Sequence, residues 1–143
     1  MQIDNAELKN FVEDIKVKIK KAQYEALKKV NKELLNLYWN IGKEIVAKQE
    51  SFGWGKEVVK TLSYELQKEF VGMRGFSVQN LWNMRQYYLE YKDNQKLQTL
   101  SGEIGWSHNI SILQKCKDNL EREFYIKSVI KFAWSYRGFN KSY

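Results

Sequence analysis

The side chains best suited to contacting a nucleic acid are concentrated in residues 73–88. Six of them carry amide or guanidinium groups: Arg74, Gln79, Asn80, Asn83, Arg85 and Gln86. Asparagine and glutamine amides can pair with adenine edges, and arginine can pair with guanine or with a phosphate. The segment therefore predicts DNA contact if one helix face carries these groups. The alternative is a solvated back face on which Arg85 is tied to a neighbouring carboxylate.

A second basic feature lies in residues 16–32, where seven lysines accompany one acid, Glu25. The whole chain has 24 Lys and Arg against 17 Asp and Glu, a net charge of +7, which favours a polyanionic partner. We predict that Lys20, Lys21 and Lys28 add sequence-independent attraction to phosphates. The alternative is a solvated lysine face whose stems cover apolar surface.

Few residues of the chain are suited to catalysis or to binding a metal. His108 is the only histidine and Cys116 the only cysteine, so neither a histidine-based zinc site nor a catalytic triad is expected. No phosphate-binding glycine loop occurs. We predict no metal and no cofactor, a packed neutral imidazole at His108, and a small buried apolar side chain at Cys116.

Three acid-x-Lys strings could suggest a metal-dependent nuclease, and they begin at Glu7, Asp14 and Glu90. In such nucleases the acids and the lysine lie on adjoining strands, where they bind the metal and activate water. Here all three strings fall in helical periodicity, which directs the acid and the lysine to different faces. We therefore expect that the chain alone is not an enzyme.

The elements that position these groups are predicted to be helices. The chain is 43% hydrophobic and contains no proline, which favours an all-α fold. Apolar residues recur along residues 6–49 with a mean spacing of about 3.7, near the helical period and above the 3.5 of a left-handed coiled coil. This apolar stripe comprises Leu8, Val12, Ile15, Ile19, Ala22, Ala26, Val30, Leu34, Leu37, Ile41 and Ile45. It predicts one long helix, or two helices bent near Asn31, packing against its own domain or a second copy.

A helix-turn-helix-like pair is predicted to follow the long helix. Its second helix covers residues 78–91 behind Ser77, whose hydroxyl can cap the first turn. The connection of residues 71–77 contains glycine but is longer than the 3 to 4 residues usual in that motif. Ser107 and Asp118 are predicted N-caps of two later helices, and a further helix is expected beyond Trp134. Gly42 is predicted to permit a close helix contact.

These elements predict a single all-α domain over residues 1–143. It divides into an arm of residues 1–50, the helix-turn-helix-like pair of residues 55–92, and the C-terminal helices of residues 104–143. No apolar run is long enough to span a membrane, and the polar N-terminus does not fit a signal peptide. A lone cysteine suits a reducing compartment, so a cytoplasmic location is expected.

Several short motifs together point to a known family. They include Leu37-Tyr-Trp-Asn-Ile-Gly-Lys-Glu-Ile45, Gly53-Trp-Gly55, Gly75-Phe-Ser-Val-Gln-Asn-Leu-Trp-Asn-Met-Arg85, Trp106-Ser-His-Asn-Ile110 and Trp134-Ser135. Their identity and order resemble the N-terminal domain of YhcG-like proteins. In that family the helical domain usually precedes a PD-(D/E)xK nuclease domain. The resemblance implies a nucleic-acid-binding or oligomerising module that serves the nuclease.

The chain departs from the family pattern at its end. Family members continue past the Trp-Ser motif into the nuclease domain, whereas this sequence stops at Tyr143. We expect a shortened piece or a stand-alone copy, for which the resemblance implies no cleavage activity. The leading hypothesis is a DNA-binding module. The alternative is a protein-interaction or oligomerisation module that pairs through the first helix with a copy of itself, or with a nuclease or modification-system partner.

Overall fold

The computed structural model describes residues 5–134, which form six helices and no strand. The helices are α1 (Asn5–Phe52), α2 (Lys56–Glu69), α3 (Val78–Tyr91), α4 (Gln95–Ser101), α5 (Trp106–Lys115) and α6 (Asn119–Trp134). The predicted all-α class and the long N-terminal helix are thus confirmed. The further helix predicted beyond Trp134 lies outside the described residues.

The helix α1 is continuous through Asn31 over its 48 residues. The Asn31 side chain points to the loop between α4 and α5, where its Nδ2 donates to the carbonyl oxygen of Ile104 at 2.8 Å. The alternative of two consecutive helices bent at this residue is therefore wrong. Asn31 instead fixes the middle of α1 to the rest of the domain.

The face of α1 that packs on the domain differs from the apolar stripe, except at Ile45, which belongs to both. Its buried residues are Leu35, Tyr38, Gly42, Ile45 and Val46. At 100° per residue, the centre of this face lies roughly 140° around the helix from the centre of the stripe. The large stripe residues from Leu8 to Leu37 remain 38–65% exposed. The expectation that the stripe packs against its own domain is thus wrong for residues 8–37.

The helix α3 lies at the centre of the fold and contributes to both core clusters. The first cluster comprises Tyr38, Ile45, Val59, Phe76, Leu81 and Met84. The second comprises Tyr87, Tyr91, Leu97, Ile104, Ile112, Leu113, Cys116 and Ile126. Trp106 packs against both, with its ring centroid 4.8 Å from that of Tyr38 and 5.3 Å from that of Tyr87. Such burial on two sides holds α3 in one orientation.

The helix starts confirm two predicted caps and correct a third. The Ser77 hydroxyl accepts from the backbone N–H of Asn80 at 3.1 Å, and the Asp118 carboxylate accepts from that of Leu120 at 2.8 Å. Each bond satisfies a first-turn donor that the helix itself leaves without a partner. The prediction for Ser107 is wrong, because α5 begins at Trp106, two residues before the predicted start, and its N-cap is Gly105.

The hydroxyl of Tyr91 is fully buried and has no hydrogen-bond partner among the described residues. An unsatisfied buried hydroxyl costs free energy, so we expect Tyr91→Phe to raise the free energy of unfolding at pH 7 by about 1 kcal/mol. Chemical denaturation measures this change. A variant less stable than the wild type at pH 7 would contradict it.

The raised pKa of Tyr91 predicts that the protein loses stability in alkali. Burial raises the pKa of Tyr91 to about 12, whereas an unfolded tyrosine ionises near 10. The unfolded state therefore releases its proton first as the pH rises, and folding loses stability between about pH 10 and pH 12. The Tyr91→Phe variant should lose less stability over that pH interval than the wild type. If the stability of the variant fell as steeply with pH as that of the wild type, groups other than Tyr91 would cause the loss in alkali.

Candidate nucleic-acid interface

The outward face of α3 carries three accessible amides, which we call the amide stripe: Gln79, Asn83 and Gln86. Gln79 Nε2 donates to Asn83 Oδ1 at 3.2 Å, one turn further along the helix. Gln86 Nε2 donates to Glu90 Oε1 at 2.7 Å in the next turn. Gln79 and Gln86 are exposed and Asn83 is half-buried. These surface hydrogen bonds can be exchanged for base edges, which offer the same donors and acceptors.

The Asn80 amide is used inside the protein. Its Nδ2 donates to the carbonyl oxygen of Gly75 at 2.7 Å, and its Oδ1 accepts from the indole Nε1 of Trp106 at 2.7 Å. The first bond holds the turn before α3, where Gly75 has a φ of 108°. The second ties α3 to α5. The structure therefore gives Asn80 a positioning role within the domain.

Arg85 also has partners within the protein. Its Nε donates to Gln49 Oε1 at 2.7 Å, and its guanidinium lies 5.5 Å from the centre of the Trp82 ring. The sequence alternative placed a carboxylate beside this arginine, whereas the observed partner is an amide of α1. Arg85 therefore joins α3 to α1 on the side where the two helices pack.

The amide stripe faces away from α1. Arg85 points to α1, and the amide stripe lies roughly 130° further around α3. The lysines predicted to attract phosphates are on α1: Lys21 is exposed, Lys20 is half-buried, and Lys28 Nζ lies 3.6 Å from Glu103 Oε2. The structure thus places the amide stripe and these lysines on different sides of the domain.

The carboxylate of Glu103 binds two lysines of α1. Lys32 Nζ lies 2.9 Å from its Oε1, and Lys28 lies near its other oxygen. Burial would raise the pKa of Glu103, but the hydrogen bonds and charges of Lys32 and Lys28 outweigh burial and lower it. Lys28 is therefore partly neutralised within the protein, which weakens it as a candidate for phosphate contact.

Cationic side chains occur near both ends of the amide stripe. Arg74 is exposed in the turn that precedes α3. At the other end, Arg122 donates through Nε to the carbonyl oxygen of Cys116 at 2.9 Å and through Nη1 to Glu90 Oε2 at 3.1 Å. These bonds hold residues 115–117, with their exposed Lys115 and Lys117, beside the C-terminal end of α3. Sequence reasoning missed these two lysines because no local pattern links them to α3.

The chemistry expected at His108 and Cys116 can be compared with their surroundings. His108 is exposed, so the prediction of a packed imidazole is wrong. Cys116 is only 4% exposed and belongs to the second core cluster, which agrees with the predicted apolar role.

Across residues 5–134, no group of three or more His, Cys, Asp and Glu side chains could hold a metal ion. Over the same range, every helix is too short or too polar to cross a bilayer.

An apolar groove of about 640 Å³ runs between α1 and α2. Its α2 wall consists of Val58, Leu62 and Leu66, and Phe70 and Met73 close one end. The stripe residues Leu37 and Ile41 form part of the α1 wall. The exposed stripe of α1 therefore continues into this groove. A combined apolar surface of this extent is typical of a protein-interaction site.

The sequence has detectable relatives. The pattern of the family described as the DUF1016 N-terminal domain matches residues 14–143. The protein named "Putative nuclease YhcG" of Escherichia coli (strain K12) is 33% identical over 87 residues, which cover 58% of this chain and 23% of that protein. The match thus spans less than a quarter of the curated relative. No solved structure matches the chain.

Proposed function

The chain belongs to the family of the DUF1016 N-terminal domain, and on that premise we propose that it is a DNA-binding helical module without catalytic activity of its own. The observation that carries this proposal is the accessible amide stripe on α3. The amide stripe lies on a helix held by two core clusters and therefore projects its groups in a fixed direction. Such preorganisation reduces the ordering cost of binding.

Contacts to bases and contacts to phosphates have separate roles in this proposal. Gln79, Asn83 and Gln86 face base edges in the major groove, where each amide can both donate and accept. Arg74 contacts a phosphate at one end of the amide stripe, and Lys115 and Lys117 contact phosphates at the other. Lys20, Lys21 and Lys28 on α1 add long-range attraction without belonging to the same contact surface.

A salt series on duplex DNA tests the phosphate contacts. We expect the affinity to fall steeply as salt rises, because bound phosphates release counterions. Arg74→Ala should weaken binding to all sequences alike and reduce the logarithmic salt slope by about 1. Lys60→Ala is the matched control, because Lys60 is an exposed cation that pairs with Glu57 on α2. A slope that Arg74→Ala leaves unchanged would remove this residue from the interface.

The absence of catalysis has its own test. With Mg²⁺ present and DNA saturated by the protein, we expect the duplex to remain intact. Cleavage that copurifies with the chain and disappears on chelation would contradict the proposal.

A second candidate function is favoured by a different observation, the exposed apolar stripe of α1 together with the groove beside α2. Monomeric proteins rarely expose apolar surface of this length. The chain would then serve as a protein-interaction or oligomerisation module, with a copy of itself or a nuclease or modification-system partner bound along α1. Size measurement in solution tests self-association independently of DNA binding.

A further inference from the structure

The stripe of α1 is the largest apolar feature of the described chain that is not explained by the fold. Its residues Leu8, Ile19 and Val30 are 45%, 53% and 65% exposed, and Phe11 beside them is 61% exposed. They lie on one side of the helix, opposite the face that contacts the domain. A second helix could therefore lie along the stripe without displacing any contact of the core.

The exposed area is close to what a stable pair requires. The eight large stripe residues between Leu8 and Leu37, with Phe11 included, leave roughly 650 Å² of surface exposed per copy, and a standard interface buries about 800 Å² per partner. The aliphatic stems of flanking lysines supply further contact. Two copies of this chain can thus cover each other through the stripe together with these stems.

The order of residues along the stripe is nearly the same in both directions. When two α1 helices run antiparallel with their centre between Lys21 and Ala22, Leu8 lies opposite the partner's residue 35, one residue or about 1.5 Å along the axis from the partner's Leu34. Val12 then lies beside the partner's Val30. The two-fold axis repeats both contacts, so the surface is complementary to itself, as an isologous interface requires.

The charges along one edge of the stripe fit the same register. The antiparallel pair places Lys18 opposite the partner's Glu25, and Asp14 opposite the partner's Lys29. All four side chains are exposed. Symmetry repeats each contact, which gives four attractive pairs. In a parallel pair this edge would face the opposite edge of the partner's stripe and neither pair would form, so the charges favour the antiparallel arrangement.

We propose that two copies of this chain pair antiparallel along the α1 stripe, with the two-fold axis between Lys21 and Ala22. The inference rests on the second candidate function and deepens it by naming the occupant and the register. It is independent of DNA contact by α3, because the amide stripe faces away from α1. The apolar groove beside α2 lies near each end of the paired helices.

Mass measurement by light scattering tests the pairing. We expect a dimer at micromolar concentration, and we expect Ile15→Asp and Ile19→Asp to make the chain monomeric while its helical signal persists. Val17→Asp is the matched control, because Val17 is 48% exposed on the opposite side of α1. A wild type that stays monomeric at high concentration, or equal disruption by Val17→Asp, would overturn the proposal. A larger mass only with an added partner would also overturn it.

Cross-linking tests the register. Ala22→Cys should form a disulfide-linked dimer on mild oxidation, because residue 22 lies near its own copy at the axis. Ala26→Cys should not, because the two residues would be roughly 13 Å apart along the axis, too far for a disulfide. Cross-linking at both positions would indicate a parallel pair and contradict the register. Buried Cys116 provides an internal control.

Charge reversal gives a second test of the register. Lys18→Glu and Glu25→Lys should each raise the dissociation constant of the dimer about tenfold, and the double variant should restore it. Failure of the double variant to restore pairing would overturn the charge contact. DNA binding is measured separately from pairing. An Ile19→Asp variant that is monomeric and still binds duplex DNA would support the proposed function. A dimer that does not bind DNA would contradict the proposed function but not the pairing.

Discussion

Replacing Gly42 with alanine should lower the free energy of unfolding by about 3 kcal/mol. A Cβ atom at this position would overlap the backbone carbonyl of Met84, where α1 crosses α3. Backbone atoms of a packed helix cannot move aside as a flexible side chain can, so the two helices must separate. The loss is net of the gain of up to about 1 kcal/mol that alanine usually brings to a helix interior.

Thermal and chemical unfolding measure the effect of Gly42→Ala. A loss of about 3 kcal/mol corresponds to a fall in Tm of about 10 °C for a chain of this size. Lys43→Ala is the matched control, because it introduces the same side chain one residue later at an exposed position of α1. Equal stability of the Gly42 and Lys43 variants would show that α1 and α3 do not approach closely at this point.

Removing the buried cation of Arg122 should lower the free energy of unfolding by a similar amount. The Arg122 side chain is 4% exposed, and it joins the Cys116 carbonyl, the Asn119 side chain and the Glu90 carboxylate. Arg122→Met keeps much of the apolar stem but removes the arginine donor from Glu90 Oε2 and from the Cys116 carbonyl. Because Glu90 is partly solvated, we expect a loss of about 3 kcal/mol, at the lower end of the range for a broken buried pair.

A shorter ion pair provides the comparison for Arg122→Met. Lys127 Nζ lies 2.7 Å from Glu123 Oε2, yet the lysine is 53% exposed. Solvent screens that pair, so Lys127→Ala should leave the unfolding midpoint almost unchanged. If Lys127→Ala were as destabilising as Arg122→Met, burial would not be what distinguishes the two contacts.

The helical class followed from the sequence, but the packed face of α1 did not. Apolar spacing fixes the periodicity of a helix, and it correctly indicated that α1 is long. Spacing favours the stripe with the most apolar residues as the packed face, whereas the buried face includes Gly42, Tyr38 and the half-buried Asn31. These residues lie on the packed face because helices approach closely there or because they form hydrogen bonds to distant elements. The spacing of apolar residues does not encode either feature.

The candidate site was also predictable only in part. Helical spacing predicts Leu81 and Met84 on the inner face of α3, where they are buried, but it does not predict the burial of Tyr87. Its hydroxyl lies 2.7 Å from the Ser101 hydroxyl of α4, a partner that becomes visible only in the fold. The same reason explains Asn80, whose amide has the sequence character of a DNA contact but is used to bind Trp106, 26 residues later.

The two proposals assign separate functions to α1 and α3. In our account α3 presents the amide stripe to DNA on one side of the domain, and α1 pairs with a second copy through the stripe that begins at Leu8. The packing of Gly42 against Met84 joins these two surfaces rigidly. Pairing along α1 would thus bring two amide stripes into one assembly and increase its effective affinity for DNA.

The most direct test of the central claim is the NMR response of side-chain amide groups to duplex DNA. We expect the NH₂ signals of Gln79, Asn83 and Gln86 to shift as DNA is added and to return when salt is raised. The signals of Asn80 and Asn31, which donate to backbone carbonyls inside the protein, should stay in place. Unchanged signals from all three stripe amides at saturating DNA would contradict the proposal that α3 contacts DNA.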